Sequence, residues 1–398
     1  MLSIRINNKL KISVYPLISI IFLIPDFLQY SSSLHDVFIA WRIIQVIAFA
    51  LLAVRYFVKN YKNMLVNCMI LLYAWIAFSC ILHGNTIYSF IWLMAPDLGL
   101  AFIASEAVQE KKDSYIHAMM NIMIGYVLLN ALTIILIPQG LASGRIGQIN
   151  WFLGSKNGYL PYLLVTVILI VIDSKLRFNK LKLVSFIKCG VVLACGFLVD
   201  SATTKLYVVL SFAIILLDFV IKKSTIKKIF MGRMRLIVIL LAVSIYILFF
   251  NTYGFLSEYV TNMIGREMTF SSRIYLWEIA FDYIKQNPII GVGPNAIFFP
   301  SNFTQPMTHA HDLYLNIASK YGVPAFLLLA VVIILAYIGK KTPKKNISAN
   351  FWSAYIILTF YLIASVVEVY LLHPLFLICI ILYFANEINV PKLREENV

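Results

Sequence analysis

The sequence predicts an all-α integral membrane protein with about 12 transmembrane helices, and three observations carry that prediction. Hydrophobic residues make up 61% of the 398 residues. Charged residues make up 13%, about half of the roughly 25% found in soluble domains. The charges lie between apolar runs, most of them near the roughly 20 residues that a helix needs to cross a bilayer. These observations exclude a water-soluble globular protein and predict a single polytopic domain over residues 1–398.

Twelve apolar runs account for most of the chain. The sixth and eighth are shorter than the others. The runs cover residues 12–30, 37–58, 64–82, 88–108, 115–138, 158–173, 183–200, 206–221, 236–252, 313–338, 350–370 and 372–388. The first run follows basic residues, as in a signal peptide, but Pro25-Asp26 stands in place of a small-residue cleavage site. We therefore interpret it as a retained membrane anchor.

The distribution of Lys and Arg predicts the orientation of the helices. With the N-terminus in the cytoplasm, 24 of the 33 basic residues fall on the cytoplasmic side and eight on or near the outer side. Because basic residues accumulate in cytoplasmic loops, we expect both termini to be cytoplasmic. The net charge of +15 is then a topology signal, and we expect no nucleic-acid partner.

The largest connection on the outer side is the loop of residues 253–312, between the ninth and tenth runs. Loops of this length in compact proteins are usually functional. Part of the loop predicts an amphipathic helix that ends at Pro288, and we expect this helix to lie on the membrane surface. Its apolar residues recur at steps of three or four: Ile274, Trp277, Phe281 and Ile284.

The predicted helix carries the first half of a longer motif. Arg273 and Trp277 have the spacing R-x3-W, and the pattern continues as W-x10-P-x2-GVG to Gly293. A second element, H-D-x2-L-x6-G, begins at His311. Together they resemble the signature of the O-antigen ligase and Wzy-type O-antigen polymerase superfamily. In that family the second element usually begins His-Asn or His-Ser, whereas this chain has Asp312 in the second place.

Two upstream segments are similar to other parts of the same family. Arg145-Ile-Gly, followed by Lys156-Asn at the start of the sixth run, resembles the family's earlier outer loop. The turn Ser-Ala-Thr-Thr-Lys205 occupies the place of its Ser- and Thr-rich turn, with Lys205 where many members have arginine. The resemblance covers residues 141–330.

The resemblance implies a GT-C-like fold and glycosyl transfer. In such a reaction, a glycan passes from a polyprenyl diphosphate to an acceptor sugar hydroxyl on the outer face. The leaving diphosphate must be neutralised, commonly by a metal ion that neighbouring acidic residues bind. The only two acidic residues within two positions of each other are Glu395 and Glu396 in the predicted cytoplasmic tail, and the five cysteines lack zinc-site spacing. We therefore expect a metal-independent reaction without a cofactor. An in-line displacement at the anomeric carbon would invert its configuration.

His311 and Arg273 are the candidate catalytic residues. Imidazole is largely neutral at pH 7 and can accept a proton from the acceptor hydroxyl. A guanidinium binds phosphate oxygens bidentately, so we expect Arg273 and a second basic residue to bind the diphosphate. His309, close to His311, and Asp312 are secondary candidates. The candidates for the second basic residue are Arg145, Arg266, Lys156 and Lys205.

Structural explanations stay open for several of these residues. A histidine in a loop can simply be solvated, and Arg273 can pair with phospholipid headgroups. Asp97 lies within a predicted span, where ionisable groups are often functional, but pairing with Arg42 or a neighbouring helix is an equal alternative. Glu368 and His373, near the outer end of the eleventh run, can contribute to a substrate groove.

Three functions are compatible with the sequence. The first is a Wzy-type polymerase that joins undecaprenyl-diphosphate-linked repeat units into O-antigen, capsular polysaccharide or exopolysaccharide. The second is an O-antigen ligase that transfers the glycan to lipid A-core. The third, from another class, is a polysaccharide flippase, although polar residues here concentrate in one outer loop and no repeated halves are present.

The first two functions imply the same place in the cell. We expect a multi-pass protein of the bacterial plasma membrane, with its active site on the outer face. Membrane lipid and an undecaprenyl-diphosphate-linked oligosaccharide are the expected partners, and a chain-length regulator is a further candidate partner of a polymerase.

Overall fold

The computed structural model describes residues 3–7, 10–59, 63–84, 87–143, 148–221, 233–250, 270–298, 307–340 and 351–385. These parts of the chain are mainly helical. The helices are α1 Tyr15–Ile21, α2 Phe27–Tyr30, α3 His35–Val58, α4 Met64–Leu82, α5 Ile87–Leu136, α6 Tyr159–Phe178, α7 Leu183–Ala194, α8 Ala202–Val220, α9 Arg233–Phe250, α10 Phe270–Gln286, α11 Leu313–Tyr321, α12 Val323–Ile338, α13 Trp352–Ala364 and α14 Leu372–Phe384. The strands are β1 Ser3–Asn7, β2 Leu10–Ser13, β3 Ala142–Ser143 and β4 Ile149–Asn150.

The helices agree with a multi-pass membrane protein. Within the described residues, six helical segments are long and apolar enough to cross a bilayer: His35–Val58, Met64–Leu82, Phe90–Glu110, Asp113–Leu136, Tyr159–Phe178 and Ala202–Val220. Shorter apolar helices follow, among them α12, α13 and α14. The predicted run 64–82 coincides with α4. The total of about 12 spans stays a prediction.

Helix α5 contains two predicted spans that lie side by side. A straight helix would separate Trp92 from Tyr126 by ~50 Å. Both residues nevertheless lie near the C-terminal end of α1. Three hydrogen bonds bring them there: Trp41 to the Ile21 carbonyl, Arg42 to the Trp92 carbonyl, and Tyr126 to the Leu23 carbonyl. The segment therefore reverses direction between the two halves, in agreement with the two separate runs predicted over residues 88–108 and 115–138.

The first apolar run differs from the unbroken helix expected over residues 12–30. It consists of the seven-residue α1, a non-helical stretch through Pro25, and the four-residue α2. Proline lacks a backbone N–H and disfavours helical backbone in the residue before it, which explains the break. Tyr15, the first residue of α1, lies beside Glu106, and Phe27, the first residue of α2, has its ring 5.9 Å from that of Phe152.

The predicted tenth span is also broken. Residues 313–338 form α11 and α12, which meet at Gly322. Gly322 has φ +86°, a conformation that favours glycine, and Pro324 follows at the start of α12. Helix α11 therefore connects the loop to the bundle: it packs against α10, and its Leu313, Ile317 and Tyr321 side chains lie in the main apolar core.

Two small β-hairpins depart from the all-α expectation. Strands β1 and β2 pair antiparallel near the N-terminus, and β3 pairs antiparallel with β4 in the loop before α6. Hydropathy did not predict either pair, because each strand has only two to five residues.

Helix α6 lies at the centre of the described bundle. Its residues from Tyr159 to Leu176 are all buried, and it packs against α5, α7, α13 and α14. Near its C-terminal end, Lys175 forms a buried ion pair with Asp218 of α8. The carboxylate of Asp218 also accepts hydrogen bonds from the Trp352 indole at 2.8 Å and the Ser353 hydroxyl at 2.6 Å.

We predict that Lys175→Met destabilises the protein by about 3–5 kcal/mol, because it leaves the buried Asp218 carboxylate without its cation. Thermal unfolding of the purified protein in detergent measures the effect. Lys205→Met, which removes an exposed ion pair with Asp200, is the matched control and changes stability by less than about 1 kcal/mol. Equal melting temperatures for the two variants would contradict the prediction.

Candidate functional site

The two halves of the sequence motif are joined by backbone hydrogen bonds. After α10 ends, the Val292 amide donates to the Ser319 carbonyl and the Gly293 amide to the Lys320 carbonyl, each at 2.9 Å. The Val323 amide donates to the Pro288 carbonyl at 2.8 Å. The P-x2-GVG turn therefore packs against the C-terminal end of α11 and connects the two elements of the motif.

This close packing explains two of the motif's glycines. Gly291 and Gly322 have positive φ angles of 69° and 86°. A Cβ atom at Gly322 would lie 1.8 Å from the Ile289 carbonyl oxygen, and one at Gly291 would lie 2.3 Å from the Lys320 carbonyl group. Any side chain at either position would push the turn away from α11.

Helix α10 uses its apolar face to hold the loop together. Leu276, Trp277 and Ala280 are buried, and they pack with Phe298 and Ala310 in a cluster separate from the main core. The structure forms the predicted helix over Phe270–Gln286. Its buried apolar residues pack against protein, and the expected position on the membrane surface stays a prediction. Arg273 and Trp277 are four residues apart and lie on the same face of the helix. Burial of the tryptophan thus fixes where the guanidinium points.

Asp312 begins helix α11 as its N-cap. Its Oδ1 accepts hydrogen bonds from the Tyr314 amide at 2.7 Å and the Leu315 amide at 2.8 Å. The Leu313 amide donates to the Ser365 carbonyl at 2.8 Å, which docks the start of α11 on the segment that follows α13. This turn places His311, with φ +52°, beside Glu368.

Glu368 is the centre of the candidate site. Its Oε1 accepts hydrogen bonds from Arg273 Nη2 at 2.6 Å and from Asn157 Nδ2 at 2.8 Å. Its Oε2 lies 3.4 Å from His311 Nδ1. Arg273 Nη1 also donates to the Val367 carbonyl at 2.6 Å. One carboxylate therefore joins the three residues that come from the loop before α6, from α10 and from the turn before α11.

The Glu368 carboxylate is negatively charged. The residue is 6% exposed, and burial alone would raise its pKa. The hydrogen bond from His311 and the charge of Arg273 outweigh burial, so the net pKa of Glu368 is lowered. We assign a ring proton of His311 to Nδ1, because that nitrogen faces the carboxylate. This tautomer leaves Nε2 as the proton acceptor.

His309 lies beside His311, with ring centroids 4.2 Å apart. Its Nδ1 accepts a hydrogen bond from the His311 amide at 3.3 Å. Burial, together with the nearby His311, lowers the pKa of His309 to about 4, although Glu368 acts in the opposite direction. His309 is therefore neutral at pH 7 and a weaker base than an ordinary histidine.

The other predicted site residues do not meet at Glu368 within the described structure. Arg145 and Arg266 lie outside the described residues. Lys156 is exposed, and it is its neighbour Asn157 that reaches Glu368. Lys205 forms an exposed ion pair with Asp200 at 3.2 Å. The binding of diphosphate by any of these four basic residues stays a prediction.

Two residues contribute more to the site than the sequence predicts: Asn157, and Glu368, which the sequence predicts only as a groove residue. An acidic residue near the outer end of an apolar run is a signal for such a role. Asp97 pairs with residues of two neighbouring helices: it accepts a hydrogen bond from Tyr73 and lies 3.4 Å from His373 Nδ1. This geometry agrees with the structural alternative of a partner on a neighbouring helix.

Among the described residues, no group of three His, Cys, Asp or Glu side chains is arranged to hold a metal ion.

Comparisons with known proteins agree with the resemblance inferred from the motif. Residues 151–330 match the model of a family described as O-antigen ligase. The chain is also 21% identical over 154 residues to the exopolysaccharide production protein ExoQ of Rhizobium meliloti (strain 1021). This alignment covers 35% of the present chain and 35% of ExoQ, so the chain spans about a third of that relative's length. The comparisons confirm the resemblance to the O-antigen ligase and Wzy-type superfamily, and they agree with the expected multi-pass membrane protein of polysaccharide biosynthesis.

We predict that Asp312→Asn keeps the fold and removes a pH-dependent loss of stability. Burial raises the pKa of Asp312 to about 8, even though two backbone amides bind its carboxyl group. Between about pH 4 and pH 8 the folded protein keeps a proton that the unfolded chain releases, so wild-type stability falls as the pH rises through this window. Asparagine caps the helix without an ionisable proton.

Thermal unfolding in detergent at pH 5, 7 and 9 measures this effect. The melting temperature of Asp312→Asn relative to wild type should rise with pH. At pH 9 the free energy of unfolding of the variant should exceed that of wild type by an amount on the order of a few kcal/mol. Asp282→Asn, at an exposed position, is the matched control and should show no such trend. A parallel pH profile for wild type and Asp312→Asn would contradict the neutral cap.

Proposed function

We propose that this protein is a Wzy-type polysaccharide polymerase. It transfers oligosaccharide repeat units from undecaprenyl diphosphate to an acceptor sugar hydroxyl at the outer face of the bacterial plasma membrane. The observation that carries this proposal is the Glu368 carboxylate, which holds His311 and Arg273 on its two oxygens. A base and a cation side by side are what the reaction needs at its reacting bond.

In this proposal His311 is the general base. Its Nδ1–H donates to Glu368, and its Nε2 accepts the proton of the acceptor hydroxyl. Glu368 orients the ring and stabilises the imidazolium that forms, as the carboxylate does in a Ser-His-Asp triad. The His311 side chain is 23% exposed, so a substrate can reach it.

The transfer exchanges one C–O bond for another. The acceptor oxygen attacks the anomeric carbon of the donor sugar and forms the new glycosidic bond. The bond between that carbon and the diphosphate oxygen breaks, and its electron pair leaves with the undecaprenyl diphosphate. A single in-line displacement inverts the configuration at the anomeric carbon.

Arg273 has two roles in the proposal. Its Nη1 and Nη2 hold the Val367 carbonyl and Glu368, which fixes the carboxylate that orients His311. A guanidinium carries five N–H donors, so further donors can bind the diphosphate of the donor lipid. We propose a metal-independent reaction, in which basic side chains neutralise the leaving group.

Two related functions compete with polymerisation. The matching family is described as O-antigen ligase, which supports transfer to a lipid A-core acceptor. ExoQ is described as a protein of exopolysaccharide production, which supports a polymerase. The donor chemistry is the same for both. We favour the polymerase, and we propose a chain-length regulator as a partner of the assembled system.

We predict that the purified wild-type protein in detergent, given lipid-linked repeat units alone, forms a ladder of longer products. His311→Ala and Arg273→Ala should each reduce transfer by at least about 10²-fold, because they remove the base and the cation. Gel analysis of the products measures chain extension. Lys285→Ala, at an exposed position of α10, should extend chains normally.

Each contrary outcome identifies a different error. A requirement for lipid A-core as acceptor would make the protein a ligase. Absence of transfer in detergent, where there are no two sides to cross, would favour the flippase alternative. Normal chain extension by His311→Ala would contradict its assignment as the base.

We also predict that Glu368→Gln lowers kcat by at least about 10²-fold while KM for the donor changes less than threefold. Glutamine keeps the size of the side chain but removes the charge that stabilises the imidazolium. Glu278→Gln, on the exposed side of α10, is the matched control. Melting temperatures of both variants separate a catalytic defect from loss of fold, and an unchanged kcat in folded Glu368→Gln would contradict the role of the carboxylate.

A further inference from the structure

Lys320 is a buried cation next to the candidate site. It lies near the end of α11, is 9% exposed, and donates a hydrogen bond from Nζ to the Thr308 carbonyl at 2.6 Å. Thr308 precedes His309, whose ring contacts His311. Within the described part of the chain, no carboxylate lies within ion-pair distance of Lys320 Nζ. A buried ammonium group without a counter-ion is costly, so its retention points to an anion that binds there.

The other charges of the site largely cancel. Arg273 is paired with Glu368 at 2.6 Å. Asp312 is fully buried and its Oδ2 has no hydrogen-bond partner among the described residues, as befits a neutral carboxyl group. His309 is neutral. Lys320 therefore gives the site a net positive charge before any substrate binds.

The backbone around Lys320 fixes it to the rest of the motif. Its carbonyl accepts the Gly293 amide at 2.9 Å, and its backbone lies against Gly291. The lysine is therefore carried by the same rigid unit of α10, the glycine turn and α11 that carries Arg273. A cation held in this way can bind an anion without moving the loop.

We infer that Lys320 is the second basic residue that binds the diphosphate of the donor lipid, next to the segment that carries His309 and His311. The inference rests on the proposed function, because it takes its ligand from the leaving group of that reaction. Lys320 acts as a compact point charge, and Arg273 contributes directional hydrogen bonds.

Binding of inorganic pyrophosphate to the full-length protein in detergent tests the inference independently of turnover. Lys320→Gln keeps a donor for the Thr308 carbonyl but removes the charge, and it should weaken pyrophosphate binding roughly 10- to 100-fold. Lys320→Arg keeps the charge and should bind within about threefold of wild type. Lys285→Met, which removes an exposed lysine, should bind like wild type. Titration calorimetry measures all four proteins.

The binding experiment has several outcomes that would contradict the inference. Unchanged pyrophosphate binding by Lys320→Gln would overturn the inference, and so would a failure of Lys320→Arg to bind. Displacement of pyrophosphate by phosphatidylglycerol added to the micelles would show that Lys320 holds a lipid headgroup instead. If Lys320→Gln does not fold, Lys320→Met gives the same comparison.

Activity distinguishes this inference from the proposed function. Wild-type protein that binds pyrophosphate through Lys320 but transfers no glycan would overturn only the proposed function. Protein that transfers glycan, with donor KM unchanged in Lys320→Gln, would overturn only the inference.

Discussion

The candidate site depends on one buried carboxylate. Glu368 accepts hydrogen bonds from Arg273 and Asn157 on one oxygen and faces His311 with the other. These three partners reach it from separate parts of the chain. Removing any one of them leaves a buried negative charge with fewer donors, which is costly. The same contacts that neutralise the charge therefore bring the loop, α10 and the start of α6 together.

The electrostatics of the site follow from which acidic groups stay charged. Glu368 has a cation and an imidazole beside it, and its pKa is lowered. Asp312 has only backbone amides, and burial raises its pKa to about 8. In the proposed reaction, a second ionised carboxylate would cancel the positive charge that binds the diphosphate. The neutral Asp312 instead resembles the asparagine that is usual at this position in the similar family, because both are uncharged caps at the start of α11.

The sequence predicted the parts of this protein that local patterns encode. Hydropathy located the apolar helices, and the three- and four-residue steps around Trp277 located α10. Hydropathy did not predict the breaks at Pro25 and Gly322, because it averages over many residues. The backbone conformation at a single proline or glycine does not change that average. The sequence indicated that Glu368 could lie in a groove but could not place it between Arg273 and His311, because it lies 95 residues from the first and 57 from the second. Only the tertiary structure brings such distant residues to one point.

The motif is best understood as a means of fixing one rigid unit to the membrane bundle. Its glycines let α10 and α11 approach each other. This unit contacts α4 through two hydrogen bonds: the Trp75 indole donates to the Tyr321 carbonyl, and the Ser79 hydroxyl donates to the Ile290 carbonyl. Glu368 follows α13 and Asn157 precedes α6, so both belong to the bundle. The proposed base and cation lie on the loop unit, while the carboxylate that orients them lies on the bundle. A small shift of the loop unit would therefore separate His311 from the Glu368 carboxylate. This explains why the sequence motif includes the glycine turn, whose backbone contacts lie far from the proposed reacting atoms.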